Sequence, residues 1–418
     1  MDRINQNLII KCLILAIPPA LVLSIFILEL IFFILTLFFL YEVSKRKINK
    51  EYLNNFNNLK CYVIILFVVY VSLNSISIFQ EIPSRKTFFY FRFILYFISF
   101  LYYLSELKIF NLLLKSFFLI AVVLIVDGLI QFITGFNILG FPMIIDNRVS
   151  SLFGDELILG SYLIRLLPFN FILMIFLFRK KITFFILTQL SILTIVFLSG
   201  ERTALFLYCL FFFSLFIFIK NFRKKILFIF IFLLLFSSTI IIFNPSYHER
   251  YILNIADGFG VSTYVNSSVE TEDSFTLFSK QHESHFKAAY LMFKDNILFG
   301  KGTRSFRIFC KEKKYIVNDV SCSSHPHNII MQFLSELGLF GIIFLMIFHF
   351  FIISEIRKIF KSNLLTYKKN ILIISLLGIF INVFPFIPSG NFFNNWFSII
   401  LLLNLANYHY NKKRYLNE

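Results

Sequence analysis

Apolar positions in this chain run together in long blocks instead of alternating. Stretches such as Ile226–Phe243 and Ile329–Ile353 carry little charge, and as helices they are long enough to cross the ~30 Å hydrocarbon layer of a bilayer. The alternation of a membrane barrel strand is missing, and lipid leaves backbone groups without partners in any open structure. The pattern predicts an all-α, polytopic membrane protein. At roughly 20 residues per span, about twelve transmembrane helices are expected, near 8–25, 27–44, 61–79, 87–105, 109–133, 157–177, 182–198, 203–219, 226–243, 328–353, 371–387 and 392–409. The first pair is the least distinct: 8–44 is one apolar stretch interrupted by Pro18-Pro19 and Glu29, and it needs a tight hairpin.

Composition agrees. Of 418 residues, 58% are hydrophobic and 15% charged, more apolar surface than a soluble domain can bury. The formal charge of +17 changes the picture only through its placement. Basic clusters stand at Lys45-Arg46-Lys47, Arg179-Lys180-Lys181, Lys220 with Arg223-Lys224-Lys225, Arg357-Lys358 with Lys361, Lys368-Lys369 and Lys412-Lys413-Arg414. They occupy every second junction between apolar blocks, the positive-inside pattern, so no nucleic-acid partner is expected. With twelve spans both termini are cytoplasmic. Residues 244–327 then form one large loop on the opposite face, between the ninth and tenth spans. Shorter outer segments are Gln80–Lys86, Gly135–Glu156 and the turn Ser199–Arg202. The whole chain, 1–418, reads as a single membrane domain. The N-terminus lacks a small-residue cleavage site and reads as a retained helix. No internal repeat is visible, which speaks against a transporter.

The long loop gathers titratable groups. Five of the seven histidines lie in it: His248, His282, His285, His325 and His327. His285–Asn296 has the apolar spacing of a helix lying on a membrane surface, and Leu298–Gly302 breaks it. Cys310 and Cys322 stand twelve positions apart in the same loop. An oxidising compartment allows them a disulfide; the other reading is two free thiols. Cys12, Cys61 and Cys209 fall in or beside apolar spans and read as packing residues.

Several residues are candidates for chemistry. Arg202 opens a span after Ser199-Gly200-Glu201. It can snorkel to the interface, or its planar fork can bind phosphate at headgroup depth beside the free amides of a helix start. His325-Pro326-His327-Asn328 precedes another span, and Pro326 fixes the backbone between the rings. A neutral imidazole there suits proton transfer from a sugar hydroxyl. His-X-His supplies only two metal ligands, and the next carboxylate, Glu336, is inside the helix, so neither a metal nor a cofactor is expected. Gly300–Arg307 resembles a phosphate loop but lacks the strand–loop–helix setting; Arg304 and Arg307 remain candidate phosphate partners, or pair with acids of the loop. Arg92, Asp127, Glu156 and Arg165 are costly in a membrane unless paired or facing a cavity.

Four segments resemble the O-antigen ligase and O-antigen polymerase superfamily of bacterial envelope enzymes. They are Arg148–Gly160, Leu198–Leu205, Ala288–Gly302 with Phe306, and His327–Gly341, in which a glycine follows the histidine by eleven positions. The resemblance covers about residues 145–345. It implies a metal-independent, inverting glycosyltransferase of the inner (cytoplasmic) membrane with its active face in the periplasm. Its donor would be a glycan on undecaprenyl diphosphate. The acceptor would be lipid A–core for a ligase, or a second carrier-linked glycan for a polymerase, with membrane lipids as the remaining partners. A transporter of the same lipid-linked glycan is the alternative from another class. His327 would be the catalytic base, with Arg202, Arg307 and Arg304 on the diphosphate. Where members carry an arginine and, four positions later, a tryptophan, this chain has His282 and Phe286. Arg304, Arg307, His282 or His285 would then replace that arginine as the second cation, and His325, Asn328, Glu156 and Arg148 are further site candidates.

Overall fold

The computed structural model describes residues 3–45, 48, 59–75, 85–143, 147–177, 182–258 and 278–416. Arg46, Lys47, Arg179, Lys180, Lys181, residues 80–84 of the first outer segment and 259–277 of the long loop lie outside them. In chain order the main helices are α1 (Arg3–Leu15), α2 (Ile17–Leu23), α3 (Ile25–Ser44), α4 (Leu59–Leu73) and α5 (Arg92–Glu106). Next come α6 (Phe110–Thr134), α7 (Leu159–Arg165), α8 (Leu167–Leu177), α9 (Ile182–Leu198) and α10 (Arg202–Phe218). The last are α11 (Arg223–Phe243), α12 (Lys280–Asp295), α13 (Ile329–Lys361), α14 (Thr366–Asn382) and α15 (Asn395–Leu416). Among the described residues there is no strand, only one isolated bridge between Phe136 and Pro142.

Among the described residues, four helices are long and apolar enough to cross a membrane, and six spans result if each of two bent pairs counts as one. The bends have sequence causes. Pro18 and Pro19 occupy the first turn of α2, where a missing N–H costs nothing but the preceding helix cannot continue, and α1 and α2 meet at 46°. Pro168 stands in the first turn of α8, and α7 and α8 are bent by the same angle.

The chain divides into two compact units, 1–116 with 284–418, and 117–283. In the first, α3 packs on α5 and α14 on α15, with Phe32 against Tyr96 and Phe100. Within it the Arg92 fork reaches both oxygens of Glu29 at 3.0 and 3.2 Å and Asn395 at 3.0 Å. In the second, α9 packs on α7, α10 and α11 around buried rings such as Phe171, Phe197 and Phe211. There Asp127 accepts from Ser151 Oγ at 2.6 Å and from the Ile138 amide at 2.8 Å.

Candidate functional site

The loop of the first unit is built around its own small core. Ala288, Ala289 and Met292 of α12 pack with Phe306, Phe309, Cys310 and Tyr315. Cys310 and Cys322 are joined as a disulfide, their Cα atoms 5.2 Å apart. Tyr315 and Lys314 both reach Asp295 Oδ2, at 2.6 and 2.7 Å, and these bonds hold the Asp295 carboxyl below the usual carboxylate range. The inward face of α12 is Ser284, His285, Ala288, Ala289 and Met292. The apolar side expected on a membrane surface is thus partly covered by the loop itself.

The following backbone is locked to a break in α13. Gly338 has φ +64° and ψ −156°, so α13 is two helices across a kink. There Leu339 N–H bonds Ile297 O at 2.8 Å, Lys301 N–H bonds Ser335 O at 2.8 Å and Gly302 N–H bonds Glu336 O at 2.9 Å. A Cβ on Gly338 would lie 2.4 Å from Leu298 O, and one on Gly300 would lie 2.5 Å from Leu337 N. Only glycine permits this approach at this backbone conformation. Asn74 closes the junction from outside, donating to Phe299 O and Glu336 O, each at 3.1 Å. The glycine eleven positions after His327 therefore fixes where α13 turns relative to the loop.

Three imidazoles meet at the N-terminal end of α13. The His285 and His327 rings stack with centroids 5.2 Å apart, and those of His325 and His327 lie 4.0 Å apart. His327 itself has φ +57°, a costly conformation for a non-glycine residue that commonly marks functional positions. Its carbonyl accepts from the Ser389 amide at 2.7 Å, and His325 is held by Ser324 Oγ at 2.9 Å and Ser389 O at 3.2 Å. Burial lowers the pKa of His285, which is 1% exposed, and keeps its ring neutral near pH 7. Asn328 bonds to no imidazole: it caps α13 through the Met331 amide at 3.1 Å and donates to Pro385 O and Ile387 O. It ties the helix start to the 385–389 loop.

Arg304 and Arg307 are carried on the turn after Gly302. The backbone of Arg304 and of Phe306 donates to the Glu336 carboxylate, which also accepts from Gln332 at 3.0 Å. Phe306 in turn sets its ring edge-on to His285, linking the arginine turn to the histidines. Arg304, half-buried with φ +61°, has its guanidinium pKa lowered by burial and then by Arg307. Its Nε is buried without a hydrogen-bond partner among the described residues. Arg307 is exposed. A half-desolvated guanidinium is a strong anion binder, because a bound anion replaces missing water.

The second unit carries a separate cationic group around Ser199-Gly200-Glu201. Arg148 Nε donates to Ser199 O at 2.9 Å, and Arg250 Nε donates to Gly200 O. Gly200 has φ +66°, and a Cβ there would lie 2.9 Å from Arg250 Nε. Tyr247 and Tyr251 hydroxyls hold Leu198 O and Phe197 O at 2.7 and 3.0 Å. Glu201 accepts from the Gly160 and Ser161 amides at 2.6 and 3.1 Å. Its carboxylate thereby caps the start of α7, while burial raises its pKa against those bonds. Arg202, the first residue of α10, is exposed and within electrostatic reach of Arg250.

Within the first unit, then, His285, His325 and His327 come together, with Arg304 linked to them through Phe306. His282 is not in the stack; its Nδ1 bonds Ser279 Oγ at 2.7 Å in the first turn of α12. Glu156 is exposed. Arg148 braces a turn. The sequence reading missed Arg250, whose signal was a charged run, His248-Glu249-Arg250, directly after an apolar span. Among the described residues, no group of three or more His, Cys, Asp or Glu is placed to hold a metal ion.

Residues 184–346 match the family model described as O-antigen ligase. That stretch carries the Arg202 turn, the loop core, the three histidines and the Gly338 break, and over it the superfamily resemblance holds. No curated protein matches the chain.

Proposed function

We propose that this chain transfers a glycan from an undecaprenyl-diphosphate carrier to a sugar hydroxyl of lipid A–core, at the periplasmic face of the bacterial inner membrane. The observation that carries the reading is the imidazole stack at the head of α13, in a disulfide-joined loop that also bears Arg304. The O-antigen ligase match over residues 184–346 supports the same reaction class. In the proposed topology about twelve spans put both termini in the cytoplasm and the loop outside.

The donor's C–O bond breaks with charge developing on a diphosphate leaving group, and preorganised cations stabilise such charge in a partly dry site. We assign contact with the diphosphate to Arg202 and the supporting charge to Arg304 and Arg307. The acceptor hydroxyl is a weak nucleophile, so His327 takes its proton or orients it for attack from the face opposite the leaving group, inverting the anomeric carbon. His285 and His325 each pack against the His327 ring. No step needs a metal.

The test is a deletion in the host, complemented with wild type, His327→Ala or Arg202→Ala and read on a lipopolysaccharide gel. A ligase deletion removes all capped material, while carrier-linked polymer accumulates. Both variants should reproduce that pattern with normal amounts of membrane-inserted protein, and Arg202→Lys should rescue poorly because it lacks a bidentate fork. Survival of single-unit caps would assign the chain to the polymerase reaction. Full capping by both variants would end this mechanism.

A further inference from the structure

A cavity of about 500 Å³ runs inside the first unit between α4, α5, α13, α14 and α15. Its walls are hydrocarbon and rings, among them Val68, Ile94, Phe344, Leu376 and Leu401. None of the histidines or arginines of the candidate site lines it. Its size is that of a cavity for one small ligand or a single chain.

One end is chemically different. Lys60, Glu355, Tyr408, Lys412 and Lys413 line it. Glu355 is bonded by Lys60, by Lys412 Nζ at 2.6 Å and by the Tyr408 hydroxyl, and Lys358 Nζ lies 3.6 Å away. Among the described residues, one carboxylate faces Lys60, Lys358 and Lys412 there, so positive charge is in excess at this end. That charge reaches the protein surface: the side chains of Lys60 and Lys412 are 29% and 36% exposed. An apolar channel ending in surplus lysine has the polarity of a lipid, with the chain inside and an anionic phosphate at the mouth.

We propose that this cavity holds one acyl chain of an anionic diacyl phospholipid, with its phosphate at Lys60, Lys412 and Lys413. The mouth then lies in the cytoplasmic leaflet; that placement rests on the topology proposed above and not on the reaction. The glycan carrier does not suit it as a head-first ligand. His327 precedes the Gly338 break in α13, and Glu355 stands beyond it by a straight helical run of roughly 25 Å at ~1.5 Å per residue. A diphosphate at the lysines would be out of reach of the imidazoles.

The test uses full-length protein in neutral detergent, titrated with dioleoyl-phosphatidylglycerol or dioleoyl-phosphatidylcholine, with bound lipid counted by native mass spectrometry. Phosphatidylglycerol should be retained at least ~10-fold more tightly. Lys412→Gln with Lys413→Gln should reduce it to the phosphatidylcholine level, and Leu401→Phe should weaken both. Cys61 lines the cavity, so phosphatidylglycerol should also slow its alkylation in unmutated protein. Equal binding of the two lipids, or no protection of Cys61, overturns the proposal. So does displacement of phosphatidylglycerol by undecaprenyl phosphate at equal concentration, which would make the carrier tail the occupant. His327→Ala should bind lipid as wild type does, so loss of the transferase reading leaves this result standing.

Discussion

The ring of His285 lies over that of His327, with centroids 5.2 Å apart and planes inclined by 23°. Two imidazolium charges at that separation repel by about 3 kcal/mol at an effective dielectric constant of ~20, so the pair does not carry two protons near neutrality. Burial already holds His285 below its ordinary pKa. An unfolded chain takes up that proton near pH ~6.5, whereas the folded one resists it. The stabilisation is therefore complete above that pH and lost as pH falls through it toward the depressed folded value. Asp295, whose pKa is also lowered, contributes only to losses below the carboxylate range. Thermal midpoints of wild type and His285→Phe in detergent, compared between pH 7.5 and 5.5, measure the effect. The wild type should lose more than the variant on acidification, and an equal loss in both would remove His285 from the account.

Gly338 and Gly300 allow two backbones to touch. An alanine at 338 must both adopt a positive φ and place its Cβ 2.4 Å from Leu298 O. Left-handed strain and overpacking each cost ~1–3 kcal/mol, so Gly338→Ala should destabilise by on the order of 3 kcal/mol. Gly390→Ala, with open space around it, is the control. Yield and thermal midpoint of the two proteins in detergent decide the matter; Gly338→Ala behaving like the control would show that the junction can relax.

Much of this was legible in the residues, and what was not has physical reasons. Pro18-Pro19 stood out as an interruption of the first apolar stretch because a missing N–H is a local property, whereas Pro168 went unread inside the 157–177 block. His325 and His327 were visible as a pair. The third, His285, stood only as one of several further candidates, because the apolar pattern of its helix rested on Phe286, Ala289, Leu291, Met292 and Phe293, whereas α12 turns Ser284, His285, Ala288, Ala289 and Met292 inward. The surface it packs on, Phe306 to Tyr315, is supplied by a distant part of the loop that periodicity cannot locate. Arg250 was missed for a related reason: it bonds a backbone carbonyl, which leaves no complementary residue type to detect. Asn328 stood among the site candidates, but the first turn of α13 and the Pro385 and Ile387 carbonyls use its side chain.

The Cys310–Cys322 link closes a loop of twelve positions against α12. Cross-links over such short loops are worth roughly 3 kcal/mol, here to a segment with a small core of its own. Reductant or Cys322→Ser should therefore loosen α12 before the spans respond. Amide hydrogen exchange should show protection falling at Ala288–Met292 while α14 stays protected. Alkylation mass shifts with and without reductant report whether the bond is present. Unchanged exchange in α12 after complete reduction would count against a bracing role.

Arg250 and Arg148 hold the carbonyls of the turn from which Arg202 emerges. They act on that turn, so they are positioning residues, and their effect should pass through Arg202. Hydrogen bonds from a charged group are worth ~1.5–3 kcal/mol, which is roughly 10- to 100-fold in rate if the whole loss falls on the transition state. Arg250→Ala should lower glycan transfer by about that factor, and Arg250→Lys, which lacks the planar Nε–H donor, should recover little of it. The decisive measurement is a double-mutant cycle. If Arg250 works by aiming Arg202, then Arg250→Ala adds almost nothing to Arg202→Ala, and the coupling equals the single-variant loss. Fully additive losses would mean that Arg250 touches the substrate itself, and would move it from the frame of the turn into the diphosphate-binding set.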